Sequence, residues 1–354
     1  MQPIQIGARQ IGPGHPPYVI AELSCNHNGS LERALAIVEQ AKACGADAIK
    51  LQTYRADTIT IDHDAPEFMI HGGLWDGKNL FQLYREASMP WEWHRPLFEH
   101  ARSIGIDIFS SPFDFSAVDL LEELGAPAYK IASFEAVDLP LIQRAAATGK
   151  PLIISTGMAD EAEIAEALSA ARGAGAGGVA LLHCVSGYPT PPKEANLRTI
   201  PDMITRFGVP VGLSDHTLGT AVSVASVALG ASIIEKHFTL ARADGGFDAA
   251  FSLEPDELRL LTESARHAWE ALGNVSYVQK PSELPNAKFR RSLYVVRDIE
   301  AGEVFTSENI RSIRPSNGLP PKHYPEILGK TAAFHLKRGT PLSWAAVVDG
   351  NSEA

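Results

Sequence analysis

The sequence predicts an α/β protein, a (β/α)8 barrel followed by a small second domain. Two observations carry that expectation. From residue 18 onward, short apolar runs alternate with longer stretches whose apolar residues recur at i, i+3 and i+4, the mark of βαβ units around a parallel sheet. Eight such units fit within about 250 residues, the usual size of a closed barrel. A doubly wound open sheet is the competing arrangement, but no GxGxxG follows the first strand.

Taken in order, the strand-like runs are "YVIAELS", "AIKLQT", "DIFSSP", "AYKIAS", "PLIIST", "GVALLHC", "PVGLSDHT" and "SIIEKHF". Helical patterns such as "SLERALAIVEQAKACG" and "EAEIAEALSAARGAG" lie between them. The second unit is interrupted by residues 54–90, too long and too mixed for a plain connection; insertions on the strand-to-helix side of a barrel usually shape a substrate site. A helical pattern, "EPDELRLLTESARHAWEALG", ends the barrel domain, 1–273, near Gly273. Residues 274–288 carry two prolines and no periodicity, and read as a linker. Residues 289–354 hold strand-length apolar runs between turns and read as a compact domain of about 60 residues. There is no internal repeat and no low-complexity tract.

Composition bounds the function. The 354 residues are 45% apolar and 21% charged, ample for a core. A net charge of −11 argues against nucleic acid, which attracts basic stripes, but not against an anionic small substrate, because a site's local field can oppose the global sign. Three scattered cysteines make no disulfide framework. The N-terminus lacks the basic start and apolar core of a signal peptide, and no apolar run reaches the ~18 residues of a membrane span. A cytoplasmic setting without membrane contact is the expectation.

In a barrel, the strand C-termini and the loops after them form the active face. Those ends read Glu22, Asn26 and His27; Lys50 and Gln52; Ser110 and Ser111; Lys130, Ser133 and Glu135; Ser155; His183 and Ser186; Ser214, Asp215 and His216; Glu235 and His237. One polar strand end is ordinary, whereas a ring of them is a site. His216 and His237 end neighbouring strands, where two imidazoles could share a divalent metal; each taken alone is also an ordinary structural hydrogen-bonding residue. Their spacing fits no zinc-finger pattern and no cysteine is nearby in the chain, which argues against structural zinc. Lys50 and Lys130 sit in apolar strands, so each is paired with an anion or neutralised by burial. A salt bridge with Glu22 or Glu135, a phosphate or carboxylate clamp helped by Ser111, Ser133, Ser155 and Ser214, and a Schiff-base lysine all remain open. Glu22 and Glu235 are candidate general acid/base groups or orienters. Lys236, between Glu235 and His237, should point away from the mouth, since alternate strand residues face opposite sides.

The motifs "IAELSCNHNGSLERA", "GADAIKLQT", "FSSPFD", "AYKIASFE", "IISTGM", "LLHCVSGYPT", "GLSDHT" and "EKHF" resemble the sialic acid synthase family, in its order and spacing, across residues 15–350. The tail, with "IRPSNGL", looks like that family's C-terminal antifreeze-like (SAF) domain. Within the family, "FMIHGGLWDGKNLFQLY", "KIASFE" and "RPSNGL" look like the branch that makes pseudaminic acid. The resemblance implies a metal-dependent condensation of phosphoenolpyruvate with an N-acylated amino sugar, here 2,4-diacetamido-2,4,6-trideoxy-altrose, releasing phosphate by C–O cleavage. A manno-configured sugar, as in N-acetylneuraminate or legionaminic acid synthases, is the alternative; a Schiff-base aldolase or a non-catalytic sugar-binding barrel is more remote.

Carried over by the resemblance, His216 and His237 would hold Mn2+ or Mg2+, and Glu22 would be the essential acid. Lys50, Lys130, Ser111, Ser133, Ser155, Ser186 and Ser214 would bind phosphoenolpyruvate. Gln52, Glu135, Tyr188 and Asp248 would face the sugar or support the metal, and Arg314 would reach the sugar's N-acetyl group from the tail domain of the other subunit in a domain-swapped homodimer. Ser186 stands where neuraminate synthases have asparagine, and "KIASFE" stands for their KIGSGE-like stretch; both departures argue against N-acetylmannosamine as substrate.

Overall fold

The computed structural model describes residues 2–72 and 75–349, which divide into two compact units, Met1–Gly273 and Asn274–Ala354. In the first, eight parallel strands close into a barrel whose neighbours follow chain order, the eighth pairing with the first. The strands are Tyr18–Glu22, Ala48–Thr53, Asp107–Pro112, Tyr129–Ile131, Leu152–Ser155, Val179–Cys184, Val211–Asp215 and Ile233–His237, each within a run read from sequence.

Alternation along these strands builds two cores. One set of residues, Ile49, Leu51, Ile131, Ile154 and Leu213 among them, packs outward against the helices. The other set fills the barrel interior: Tyr18, Ile20, Phe109, Ile153, Leu182 and Ile233. At the crowded interior Gly212 is required, because a Cβ there would lie 2.4 Å from the Ile233 carbonyl oxygen and 2.7 Å from Leu182 Cδ2. The helices end on local signals. Ser30 caps Leu31–Ala43 by accepting from Arg33 N, and Asp160 with Glu163 forms a capping box before Glu161–Gly173.

A two-stranded antiparallel hairpin, Ile4–Ile6 with Arg9–Ile11, precedes the barrel and was not read from sequence. Its Ile4, Ile6 and Ile11 join the interior cluster and close the N-terminal end of the barrel with apolar side chains. The insertion at 54–90 contains the helices Ala56–Ile59 and Leu80–Ala87; residues 73–74 lie outside the described set.

The second unit pairs Ser292–Val295 with Ile310–Ile313 and Thr331–Ala332 with Val347–Val348 around a core that includes Leu293, Phe305, Ile310, Ile327 and Leu336. Residues 274–288 are almost wholly exposed and carry only the 3-10 turn Pro281–Phe289. No helix among the described residues is long and apolar enough to cross a membrane.

Candidate active site

Follow the inward face of each strand toward its C-terminus and the chemistry changes within two residues. Tyr18 and Ile20 lead to Glu22, Ala48 to Lys50 and Gln52, Phe109 to Ser111, Ala128 to Lys130, Ile153 to Ser155, and Ile233 to Glu235 and His237. Register brings these ends level: Glu22 pairs with Lys50, Gln52 with Ser111, and His237 with Glu22.

The centre is an array of four fully buried charges. Lys50 Nζ lies 2.5 Å from Glu22 Oε2 and 3.7 Å from Glu235 Oε2, and Lys130 Nζ lies 3.4 Å from Glu235 Oε1. Ser111 Oγ is 3.3 Å from Lys50 Nζ, and Ser214 Oγ donates to Glu235 Oε1 at 3.0 Å. Of the alternatives left open by sequence, the lysine–carboxylate pairing is present, with Glu235 rather than Glu135 as the second acid. Burial raises the Glu22 pKa, the neighbouring Glu235 charge adds to the rise, and Lys50 only partly offsets it. Burial would raise Glu235 too, but Lys130 and Lys50 outweigh it and the group is lowered. Lys50, against burial, is raised by its two carboxylates, whereas Lys130 is lowered because burial and the repulsion of Lys50 outweigh Glu235, with Cys184 and Glu22 opposing only weakly. Lys130 is therefore the less compensated cation.

Beside the array, Gln52 Nε2 donates to Glu22 Oε1 and to Ser24 Oγ, each at 3.1 Å. Ser24 in turn donates to Asp248, whose Oδ2 lies 3.5 Å from His237 Nδ1. The His216 and His237 rings are 5.4 Å apart between centroids, with Tyr188 4.5 Å from His216 and Phe251 4.9 Å from His237. Trp75, from the insertion, lies 6.1 Å from Tyr188. His216 Nδ1 is 3.0 Å from the Val185 carbonyl, which only accepts, so that nitrogen carries a proton; burial would lower the group's pKa, but Cys184 and the Val185 carbonyl raise it. His237 Nδ1 is buried without a hydrogen-bond partner, and burial, followed by the charges of His216 and Lys50, holds the ring well below its ordinary pKa. The sequence reading of no cysteine near these histidines is corrected by the fold: Cys184 Sγ stands 3.9 Å from His216 Nδ1.

Hydroxyls gather around Gly157. Gly157 N donates to Ser133 Oγ at 3.2 Å, and a Cβ at Gly157 would lie 2.7 Å from that oxygen and 2.3 Å from Ser186 Oγ. Ser155 Oγ and Ser186 Oγ are buried without partners, as is Glu135 Oε2. Burial raises Glu135 to about 7.

Several strand-end residues face elsewhere. Ser110 and Asp215 each sit one residue off the inward face, so Ser110 bonds Thr53 behind the barrel wall and Asp215 bonds Lys236. His183 is turned to the Ala195 carbonyl at 2.7 Å, and Asn26 holds the Phe238 carbonyl at 2.9 Å. His27 accepts from Gly29 N at 3.1 Å and meets the edge of Trp93. Arg314 belongs to the second unit, where it is exposed. Sequence reasoning missed Ser24, whose positive φ of 48° gives no sequence signal, and missed that Glu235 bridges the two lysines. It also missed the aromatic wall of Trp75 and Phe251.

Comparison with known proteins follows the same division of the chain. The NeuB family matches residues 37–277, and the SAF domain matches residues 290–348. The chain is 45% identical over 329 residues, 93% of its length and 97% of the relative's, to the pseudaminic acid synthase of Helicobacter pylori. It is 39% identical to the N,N'-diacetyllegionaminic acid synthase of Campylobacter jejuni, across 90% of this chain and 96% of that one. The solved N-acetylneuraminic acid synthetase of Leptospira borgpetersenii, in complex with citrate, superposes with a TM-score of 0.72 at 32% identity, covering 82% of this chain and 96% of that one. The chain belongs to the NeuB family, its barrel followed in sequence by a SAF domain.

Proposed function

We propose that the protein condenses phosphoenolpyruvate with 2,4-diacetamido-2,4,6-trideoxy-altrose, the reaction of a pseudaminic acid synthase. The observation that carries this reading is the 45% identity, end to end, with a synthase of that name, against 39% for a legionaminic acid synthase. C3 of phosphoenolpyruvate bonds to the aldehyde carbon while water adds to C2. The former aldehyde oxygen takes up the proton removed from the water and becomes a hydroxyl; the C2–O bond to phosphate then breaks, the C2 hydroxyl gives its proton to the departing phosphate, and C2 is left as a ketone.

Lys50 and Lys130, with the unpartnered hydroxyls of Ser155 and Ser186 and the neighbouring Ser111, Ser133 and Ser214, bind the phosphate and carboxylate of phosphoenolpyruvate. Such preorganised donors need no reordering as charge develops. Lys130, supported by one carboxylate only, is the cation an entering anion gains most from. Glu22, raised by burial, takes the proton of the attacking water, oriented by Gln52 and Lys50. Tyr188, Glu135 and Asp248 line the sugar side. The donor set fits a divalent ion, Mn2+ or Mg2+: His216 Nε2, on losing its proton, and the His237 ring would be its nitrogen ligands, although no group of three or more His, Cys, Asp or Glu among the described residues is arranged as a metal site. Held there, the ion would polarise the aldehyde oxygen as a Lewis acid.

Arg314 reaches the sugar's N-acetyl group from a second copy of the chain in a domain-swapped homodimer. In support, Arg314 is exposed beside Arg290 and Arg291, and residues 274–354 carry eleven Lys and Arg against eight Asp and Glu, while residues 1–273 carry twenty against thirty-four. Opposite net charges favour docking of one part on the other. A cytoplasmic setting is part of the same proposal.

The test is phosphate release from phosphoenolpyruvate with Mn2+ and, separately, N-acetylmannosamine and the manno and altro forms of 2,4-diacetamido-2,4,6-trideoxyhexose. Release with the altro sugar alone is expected; preference for either manno sugar overturns the sugar assignment. A Schiff-base aldolase is the second reading, favoured by the lowered pKa of Lys130. It requires borohydride trapping with pyruvate and indifference to EDTA, and the synthase requires the reverse.

A further inference from the structure

One buried charged pair is left unused by this chemistry. Lys236 and Asp215 stand directly opposite each other across the seventh and eighth strands, on the face turned away from the barrel interior. Lys236 Nζ is 2.9 Å from Asp215 Oδ2, with the two side chains 0% and 1% exposed. The pair ties down more than itself. Asp215 Oδ1 accepts from Thr217 N at 2.8 Å, Asp215 Oδ2 accepts from Ser223 Oγ, and Lys236 Nζ donates to the Thr217 carbonyl. The residues on either side of His216 are thus both held by the side chain of the residue before His237.

Stability does not demand such a pair. Removing two charges from water is costly, and an apolar pair of similar volume fills the same space at least as well; the attested use of buried ionic pairs is to fix register. Register is what matters here, because a slip of one residue would turn His237 out of the barrel and Lys236 into it. We infer that Lys236 and Asp215 form a register lock that sets the distance and angle between the His216 and His237 imidazoles. They are positioning residues for the divalent ion. This rests on the reading in which those two histidines hold it.

The test uses the full chain with Lys236→Met and Asp215→Leu combined, so that no unpaired charge remains buried. Mn2+ binding is read from the free-ion electron paramagnetic resonance signal, and folding from thermal melts in EDTA. The Mn2+ dissociation constant is expected to rise by about tenfold or more, the loss typical of groups that orient a metal ligand. The melting temperature in EDTA should stay within a few degrees, and KM for phosphoenolpyruvate within about twofold, since Lys50, Lys130, Ser111 and Ser155 sit on other strands and Ser214, on the seventh, faces inward and is held by Glu235 rather than by the pair. An unchanged Mn2+ dissociation constant overturns the lock, whether or not the melting temperature falls. If the double variant does not fold, Lys236→Met combined with Asp215→Asn, which keeps an acceptor for Thr217 N and leaves no charge buried, is read in the same way. His237→Ala separates the two ideas. Mn2+ binding lost there but intact in the double variant overturns the lock alone, while binding intact in His237→Ala removes the metal reading and the lock with it.

Discussion

The two ends of the barrel are made by the same eight strands and differ in almost every property. At the N-terminal end the inward residues are Tyr18, Ile20, Phe109, Ile153 and Ile233, sealed by Ile4, Ile6 and Ile11 of the hairpin. At the C-terminal end, two residues further along, the inward positions hold Glu22, Lys50, Lys130, Glu235 and His237, nearly as well buried. Burial is equal, and its consequences are opposite. Apolar side chains gain by leaving water, at about 25 cal/mol per Å2. Charged ones lose solvation that their partners only partly return. The closed end stabilises the fold, and the open end holds groups away from their ordinary ionisation. The difference is a division of labour within single strands, and it can be broken from either side.

The largest effect is expected at the open end. His237→Ala should lower kcat by at least about a hundredfold, in keeping with loss of a group that holds a catalytic metal. Its apoprotein should melt within a few degrees of the wild type, because His237 Nδ1 has no hydrogen-bond partner to strand. Phosphate release and thermal melts in EDTA measure the two. Near-normal turnover of the wild type in EDTA would remove the metal from the site, and a collapse of the melting temperature in His237→Ala would make the open end structural after all.

The converse belongs to the closed end. Ile6 is fully buried against the barrel interior. Ile6→Ala should cost about 2–4 kcal/mol of stability, the range for truncating a buried aliphatic side chain, with kcat and KM of the folded protein unchanged. Denaturant titration and steady-state kinetics at low temperature check it. A fall in kcat that matches the fall in stability would mean that the two ends are not separate.

The same division explains what was legible. All eight strands could be read because each is buried on both faces and so forms a nearly continuous apolar run. The polar strand ends stood out against those runs, and Glu22, Lys50, Lys130, Ser111, Ser214, His216 and His237 converge as that contrast implies. What the contrast cannot supply is parity. Alternation was applied to Lys236 and placed it outside; applied equally to Asp215, between the inward Ser214 and His216, it would have placed that carboxylate beside Lys236. The hairpin escaped because its strands, Ile4–Ile6 and Arg9–Ile11, have three residues each, too few to display a period. Ser24 and Trp75 join the site only through the return of distant loops, to Asp248 and Tyr188, which no local pattern records.

The smallest expected effect sharpens the comparison at one carboxyl group. Glu135 is half-buried at the open end, its Oε2 without a partner, and burial lifts its pKa from 4.5 to about 7, with Asp138 adding to the rise while the backbone N–H and Lys130 oppose it. A carboxyl raised in the folded state binds more protons there than in the unfolded chain between those two values, so stability falls as pH rises through that window. Below 4.5 both states are protonated and the group contributes nothing; above about 7 the full penalty applies. Glu135→Gln should therefore be more stable than the wild type at pH 8, by on the order of 1 kcal/mol once solvent screening of a half-buried group is allowed for, and indistinguishable at pH 4.5. Urea titrations of both proteins across pH 4.5 to 8 measure the difference. A constant difference at every pH would mean that the substitution acts through packing. A difference that grows from zero would mean that the open end holds a strained carboxyl, at the expense of stability, where the sugar is expected to bind.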